Sequence, residues 1–322
     1  MVSGGYAPVP AWSLLPNNRR IRGANLAPNP SQGGSWINFW GPMWDWTGTV
    51  KPQLDNAKAL GLNTVRIIGA ADFVASGNLT HATWIANLQT VLAYCRSVGL
   101  YYYLTMGSTV HVTPWDTNFA TELSSTAAAI VSYMDVIIAC DVLQELFSWD
   151  TANDVPSYLP TDATTKWNTA LRGTSGWTAP LTYSAYSNSE ASFVANAPGN
   201  ACADAVNLQQ CGVDYFDIHW YLPEGVGWDH ARLAHTWWST VALAGTRVLF
   251  GEYGAPLSWT SAHRVAYYQA MNDTVLHPGG NNERCAGQLA WGLIDQSNVT
   301  SNQWSIFNNS SDEANVLAVA PF

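Results

Sequence analysis

Eight short apolar runs, separated by stretches of helical periodicity, constrain this chain more than any other feature. They are 21–26 (IRGANL), 63–69 (NTVRIIG), 100–106 (LYYYLTM), 136–143 (VIIACDVL), 181–186 (LTYSAY), 214–221 (DYFDIHWY), 247–253 (RVLFGEY) and 287–294 (GQLAWGLI). Such runs suit strands buried on both faces, as in a parallel sheet covered by helices. Helical patterns fill 50–60, 81–98, 119–134, 163–172, 189–197, 229–243 and 260–276. The clearest is 81–98, where Trp84, Ile85, Leu88, Val91, Leu92, Cys95 and Val98 recur on one face, with Thr80 as its cap and Gly99 as its stop. Eight strands alternating with helices predict an α/β chain closed into a single (β/α)8 TIM barrel over 21–322, after a Pro-rich arm at 1–20. The competitor is an open doubly wound sheet. It usually has fewer strands, and no GxGxxG turn follows the first run here.

Composition narrows the function. With 48% hydrophobic and 11% charged residues, the 322-residue chain is not disordered, and a net charge of −10 argues against nucleic-acid binding. No apolar run reaches the roughly 18–20 residues of a membrane span, and residues 1–18 lack the basic start and apolar stretch of a secretory signal. The 17 Trp and 14 Tyr suggest sugar contact, since flat aromatics stack on the apolar faces of pyranoses. A Trp-built core is the competing explanation. Five Cys without CxxC or HExxH spacing predict no metal site. Cys95 and Cys140 read as buried thiols, and pairing of Cys202 with Cys211 is left open.

In a barrel of this type the chemistry sits at the C-terminal ends of the strands. The second run carries Arg66, the fourth ends in Gln144 and Glu145, and the sixth carries His219 and Tyr221. The seventh carries Glu252, and the eighth Trp291. A carboxylate at the end of an apolar strand is costly unless it is paired or used. Two facing carboxylates are what acid/base glycosidic cleavage needs, one protonated to donate and one ionised to attack. The competing explanation is that each Glu only forms an ion pair within the barrel, with Arg66 as a partner.

Taken in order, "IRGANL", "TVRI", "LQE", "HWY", "FGEYG" and "LAWGLID" resemble the strand motifs of the retaining glycoside hydrolases that include glycoside hydrolase family 5. The resemblance spans roughly residues 20 to 295. It implies Glu252 as nucleophile, Glu145 as general acid then base, and carboxyls about 5–5.5 Å apart. It further implies that Tyr221 hydrogen-bonds Glu252, that Arg66 lowers the pKa of Glu252, and that His219 lines the site beside Glu145. Trp291 would be the floor for the sugar, and His111 would reach the subsite or sit on a surface loop. The family usually has Asn before the acid/base. Gln144 is one methylene longer, which puts the usual substrates in doubt.

The segment SWINFWGPMWDWTG holds Trp36, Trp40, Trp44 and Trp46 and is too broken by Gly and Pro for a long helix. One or two of these indoles, Trp40 among the candidates, are expected to touch sugar while the rest pack. Trp115, Trp149, Trp228 and Trp259 are expected on loops at the catalytic face, and Trp237 and Trp238 in a core-facing helix. The expected activity is retaining β-glycoside hydrolysis of a polysaccharide or oligosaccharide. No cofactor, nucleic acid or membrane insertion is expected, and the expected state is a monomer acting outside the cell. Two other readings stand beside it: a transglycosylase using the same two Glu, and a degenerate carbohydrate-binding or structural barrel of a virion or cell surface.

Overall fold

A computed structural model describes residues 14–16, 19–28, 35–108, 117–148, 161–187, 211–221, 247–256, 258–276 and 285–293. The strands are β1 (Ile21–Leu26), β2 (Thr64–Ile67), β3 (Tyr101–Gly107), β4 (Ile137–Leu143), β5 (Phe147–Ser148), β6 (Leu181–Thr182), β7 (Ser184–Ser187), β8 (Phe216–Trp220), β9 (Val248–Tyr253) and β10 (Cys285–Trp291). All pairings are parallel, in the order β5-β7-β8-β9-β10-β1-β2-β3-β4-β6. β6 and β7 are one strand broken at Tyr183. Its first half pairs with β4 and its second with β5, so the sheet closes on itself. Counted this way, there are eight parallel strands in a (β/α)8 barrel, as the sequence predicts. The one interruption in the fourth strand is Gln144-Glu145-Leu146.

The described helices are α1 (Trp36–Trp40), α2 (Lys51–Ala59), α3 (Ala71–Ala75), α4 (His81–Val98), α5 (Thr117–Ile130), α6 (Thr161–Arg172) and α7 (Ser261–Leu276). α4 takes the predicted bounds for the predicted reasons. The Thr80 side chain accepts from Thr83 N, and Gly99 ends the helix at φ 71°, where a side chain would be strained. Thr80→Ala should cost about 1 kcal/mol, read as a lower urea midpoint at unchanged slope. The predicted helix at 50–60 begins as a π-turn over Trp46–Val50, whose first residues are tied by Asp45 accepting from Gly48 N. The predicted helices at 189–197 and 229–243 lie outside the described residues, as do Trp237 and Trp238. α1 and α3 are too short to show a period in the sequence. Among the described residues no helix is long and apolar enough to cross a membrane.

Burial divides the molecule into two apolar layers. The larger lies between strands and helices, with Leu26, Ile67, Leu104 and Val142 meeting Leu54, Leu88, Leu92 and Leu123. Each such side chain contributes about 1.5–3 kcal/mol by leaving water. The smaller layer fills the lower barrel interior with Ile21, Tyr103, Tyr215, Leu249 and Leu289, and Leu15 of the N-terminal arm belongs to it. Side chains alternate along a strand. The polar residues of the interior therefore fall on the same inward rows and are carried above this plug.

Candidate active site

Arg66 of β2 is wholly buried and anchors the polar interior. Its Nη1 donates to Glu252 Oε1 at 2.5 Å and Asn25 Oδ1 at 3.0 Å. Nη2 donates to Asp141 Oδ2 at 2.9 Å, and Nε to Thr105 Oγ1 at 2.7 Å. The planar guanidinium thus joins β1, β2, β3, β4 and β9, a geometry that Lys would not reproduce. Asn25 is itself fixed by donating to Gly251 O at 2.9 Å. Asp141 also accepts from Ser184 N and Oγ, which ties the broken strand to β4.

Glu252 ends β9 and is 2% exposed. Besides Arg66 it accepts from Tyr221 OH at 2.9 Å on Oε2 and from Gln144 Nε2 at 3.2 Å on Oε1. Burial pushes its carboxyl above the ordinary range, against the pull of His219 and Arg66. Arg66 therefore acts as the sequence resemblance implies, but burial outweighs it. Burial and the neighbouring Glu252 raise Tyr221 far enough that it stays a phenol and donates.

Glu145 occupies the gap between β4 and β5. It is the one non-glycine described residue with positive φ, at 50°. Its N–H donates to Ser184 Oγ at 2.7 Å, which holds the turn. The carboxylate is 32% exposed and lies 2.9 Å from His219 Nδ1. The same nitrogen is 3.4 Å from Glu252 Oε1, and His219 is fully buried. Burial opposes charge on His219, yet Glu252, Asp217 and Glu145 outweigh it and raise its pKa to about 10. Because the folded value exceeds the ordinary 6.5, this imidazolium contributes stability below about pH 6.5 and loses it as pH rises through about 10.

A second tier of carboxylates lies beneath this pair, and the sequence reading passed over it. Burial raises Asp141 to about 6, with Arg66 pulling it down. Burial also acts against the charge on Asp217 of β8, but His219, Arg66 and Tyr103 hold it below the ordinary range. The missed signal is period two. Asp217 and His219 share one face of β8, with Tyr221 next in the same row just past the strand, so a strand that turns His219 inward also turns Asp217 inward. Two sets of donors, Asp141/Asp217/His219 and Glu145/His219/Glu252, each lie within 4.8 Å, close enough to hold a cation. The Arg66 guanidinium already pairs with one carboxylate of each set.

The remaining candidates divide. Trp291 ends β10 partly exposed, with Trp36 edge-on to it at 6.5 Å and 66°. Trp36 is the indole of its segment that reaches this strand end. Trp40 is a correction: it is fully buried, its indole N–H donates to Ile68 O at 2.7 Å, and it packs against Trp44 and Trp84. Trp259 lies on the loop between β9 and α7 as expected, but is 9% exposed and packed edge-on to Tyr267. His111, Trp115, Trp149 and Trp228 lie outside the described residues. Cys95, Cys140 and Cys211 are buried free thiols, and Cys202 lies outside the described residues.

Fold and interior together define a (β/α)8 barrel with two carboxylates at the ends of its fourth and seventh strands. No protein-family model matches the chain, and no curated protein does. Solved structures with this fold are found. The exo-β-1,4-mannosidase Op5Man5 from Opitutaceae bacterium strain TAV5 matches with TM-score 0.66 and 17% identity, covering 94% of this chain. This chain spans 59% of the mannosidase's length. The endo-β-1,4-glucanase Xac0029 from Xanthomonas axonopodis pv. citri matches with TM-score 0.61 and 14% identity, over 93% of this chain and 98% of that one. Cel5A (EG2) from Hypocrea jecorina matches with TM-score 0.57 and 16% identity, over 89% and 95%. At these identities the likeness establishes the fold.

Proposed function

We propose that the protein is a retaining β-glycoside hydrolase acting on an oligosaccharide or polysaccharide. The observation that carries the proposal is the disposition of Glu145 and Glu252. One oxygen of each, with a His219 ring nitrogen, falls within 4.8 Å. Retaining enzymes hold the two carboxyl groups about 5–5.5 Å apart, whereas inverting enzymes need about 6.5–9.5 Å to admit a water. The strand-end motifs and the solved glycosidases of the same fold support the same reading.

In this mechanism Glu252 attacks the anomeric carbon. Arg66 and Tyr221 orient its two oxygens and compensate its charge. Glu145, with a solvent-accessible carboxyl, gives its proton to the leaving oxygen, and a glycosyl ester forms on Glu252. Glu145 then removes a proton from water, which attacks the ester and restores both groups. Trp291 and Trp36 form two walls of an aromatic corner against which the sugar packs. The activity belongs outside the cell, where polymers of this kind are met. If a sugar hydroxyl replaces water in the second step, the same residues perform transglycosylation, and an added acceptor separates the two by product analysis.

The test is intact mass after incubation with activated 2-deoxy-2-fluoro gluco-, manno-, galacto-, xylo- and furanosyl glycosides. The expected result is one adduct, mapped to Glu252 and absent from Glu252→Gln. An adduct on another residue would overturn the assignment. Glycan binding without an adduct or any turnover would favour a barrel that binds without cutting.

A further inference from the structure

The His219 imidazole meets negative or acceptor groups on both of its nitrogens. Nδ1 faces Glu145 Oε1 at 2.9 Å and Glu252 Oε1 at 3.4 Å. Nε2 faces Asp217 Oδ2 at 3.8 Å. A bare ring lone pair pointed at a carboxylate would be repelled, so the proton on Nε2 is fixed by what lies beyond it. Among the described residues Nε2 makes no hydrogen bond, and neither does Asp217 Oδ1, though both are buried. The pair is therefore a charge contact set by packing. Asp217 Oδ2 is anchored from the other side by Tyr103 OH at 2.5 Å, and Tyr215 OH donates to Tyr103 at 3.0 Å. Gly251 makes room for the carboxylate, because a Cβ there would overlap Asp217 Oδ1.

We infer that Asp217 is a positioning residue for the acid/base: it holds the Nε2 proton of His219, so that Nδ1 and Glu145 share a single transferable proton. The inference rests on the proposed glycosidase reading and extends it to a residue outside the catalytic pair. The shared proton lies between Nδ1 and the Glu145 carboxyl, 2.9 Å apart. On transfer the Nδ1–H bond breaks as an O–H bond forms on Glu145, and that O–H bond breaks as the leaving oxygen takes the proton. The ring becomes neutral, keeping Nε2–H against Asp217. Water that attacks the ester returns one proton through Glu145, and Nδ1 recovers it. No oxidant or further reactant enters.

Other groups around this proton are accounted for by strand. Arg66 of β2 is spent on Glu252 and Asp141, and Asp141 of β4 also binds Ser184. Tyr103 of β3 donates to Asp217, Tyr221 beyond β8 donates to Glu252, and Tyr215 precedes β8. Asp217 alone among them faces Nε2 with a full negative charge.

The experiment is ring-nitrogen NMR of protein labelled with 15N-histidine, with the His219 signals assigned by their loss in His219→Asn. In the unaltered protein both nitrogens should be protonated from about pH 6 to 8. In Asp217→Asn the proton affinity of the ring should fall at least about tenfold, since the facing charge is gone. Tyr103→Phe keeps that charge and should change the affinity by less than about threefold. On an aryl glycoside and an alkyl glycoside of the same sugar, Asp217→Asn should slow the poorer leaving group more, and the alkaline limb of kcat/KM should move to lower pH. An unprotonated Nε2 in the unaltered protein would overturn the inference, even if the Asn variant fails to fold. So would an Asn variant within about threefold of the parent affinity. Because the NMR result needs no substrate, its failure is distinct from failure of the glycosidase reading.

Discussion

Glu252→Ala should lose turnover by at least about 10⁴-fold, because the proposed covalent route disappears and not merely one electrostatic contact. The residual pocket makes the expectation sharper. Truncation leaves a space beside Arg66, Gln144 and Tyr221, all of which donate toward the lost oxygens. A small anion such as azide or formate fits that donor set. It should attack an activated substrate from the vacated side and restore turnover with inverted product stereochemistry. Retained stereochemistry in the rescued product, or a variant as active as the parent, would remove Glu252 from the nucleophile's role.

Arg66→Met should cost about 3–5 kcal/mol of stability, the range for removing one partner of a buried ion pair. Glu252 and Asp141 would both stay buried without their cation, and Thr105 and Asn25 would lose a donor. The urea midpoint reports the loss at unchanged slope. A second replacement separates charge from shape. In Arg66→Met with Asp141→Asn, one orphaned charge is gone, so the two costs should not add. A single-variant loss under about 1 kcal/mol would mean that water enters the barrel interior and solvates the carboxylates.

The outline of the fold was legible because strands such as β4 are mostly apolar and buried along their whole length. β4 reads IIACDVL, with Ile137, Cys140 and Val142 all buried. α4 was legible to the residue, since Thr80 and Gly99 impose its ends by side-chain chemistry and backbone freedom. The division of the fifth strand at Tyr183 was not legible, because LTYSAY carries no Gly or Pro to mark it. Among site residues, Glu145, Glu252, Arg66, His219 and Tyr221 were found from their places at strand ends, and the structure brings all five into hydrogen-bonded or ionic contact. Trp40 could not be placed by such reasoning. Its fate turns on one carbonyl, that of Ile68, whose direction is set by how β2 ends. Gln144 stands out in the sequence for its length, and its amide reaches the Glu252 carboxylate.

The backbone at Glu145 carries a further meaning. A side chain held at φ 50° costs roughly 1–2 kcal/mol relative to a relaxed conformation, and Gly or Asn bears it with less strain. Local stability at this position therefore favours residues that cannot perform the chemistry. Glu145→Asn should therefore leave the urea midpoint unchanged or raise it, while removing the carboxylate that the proposed function requires.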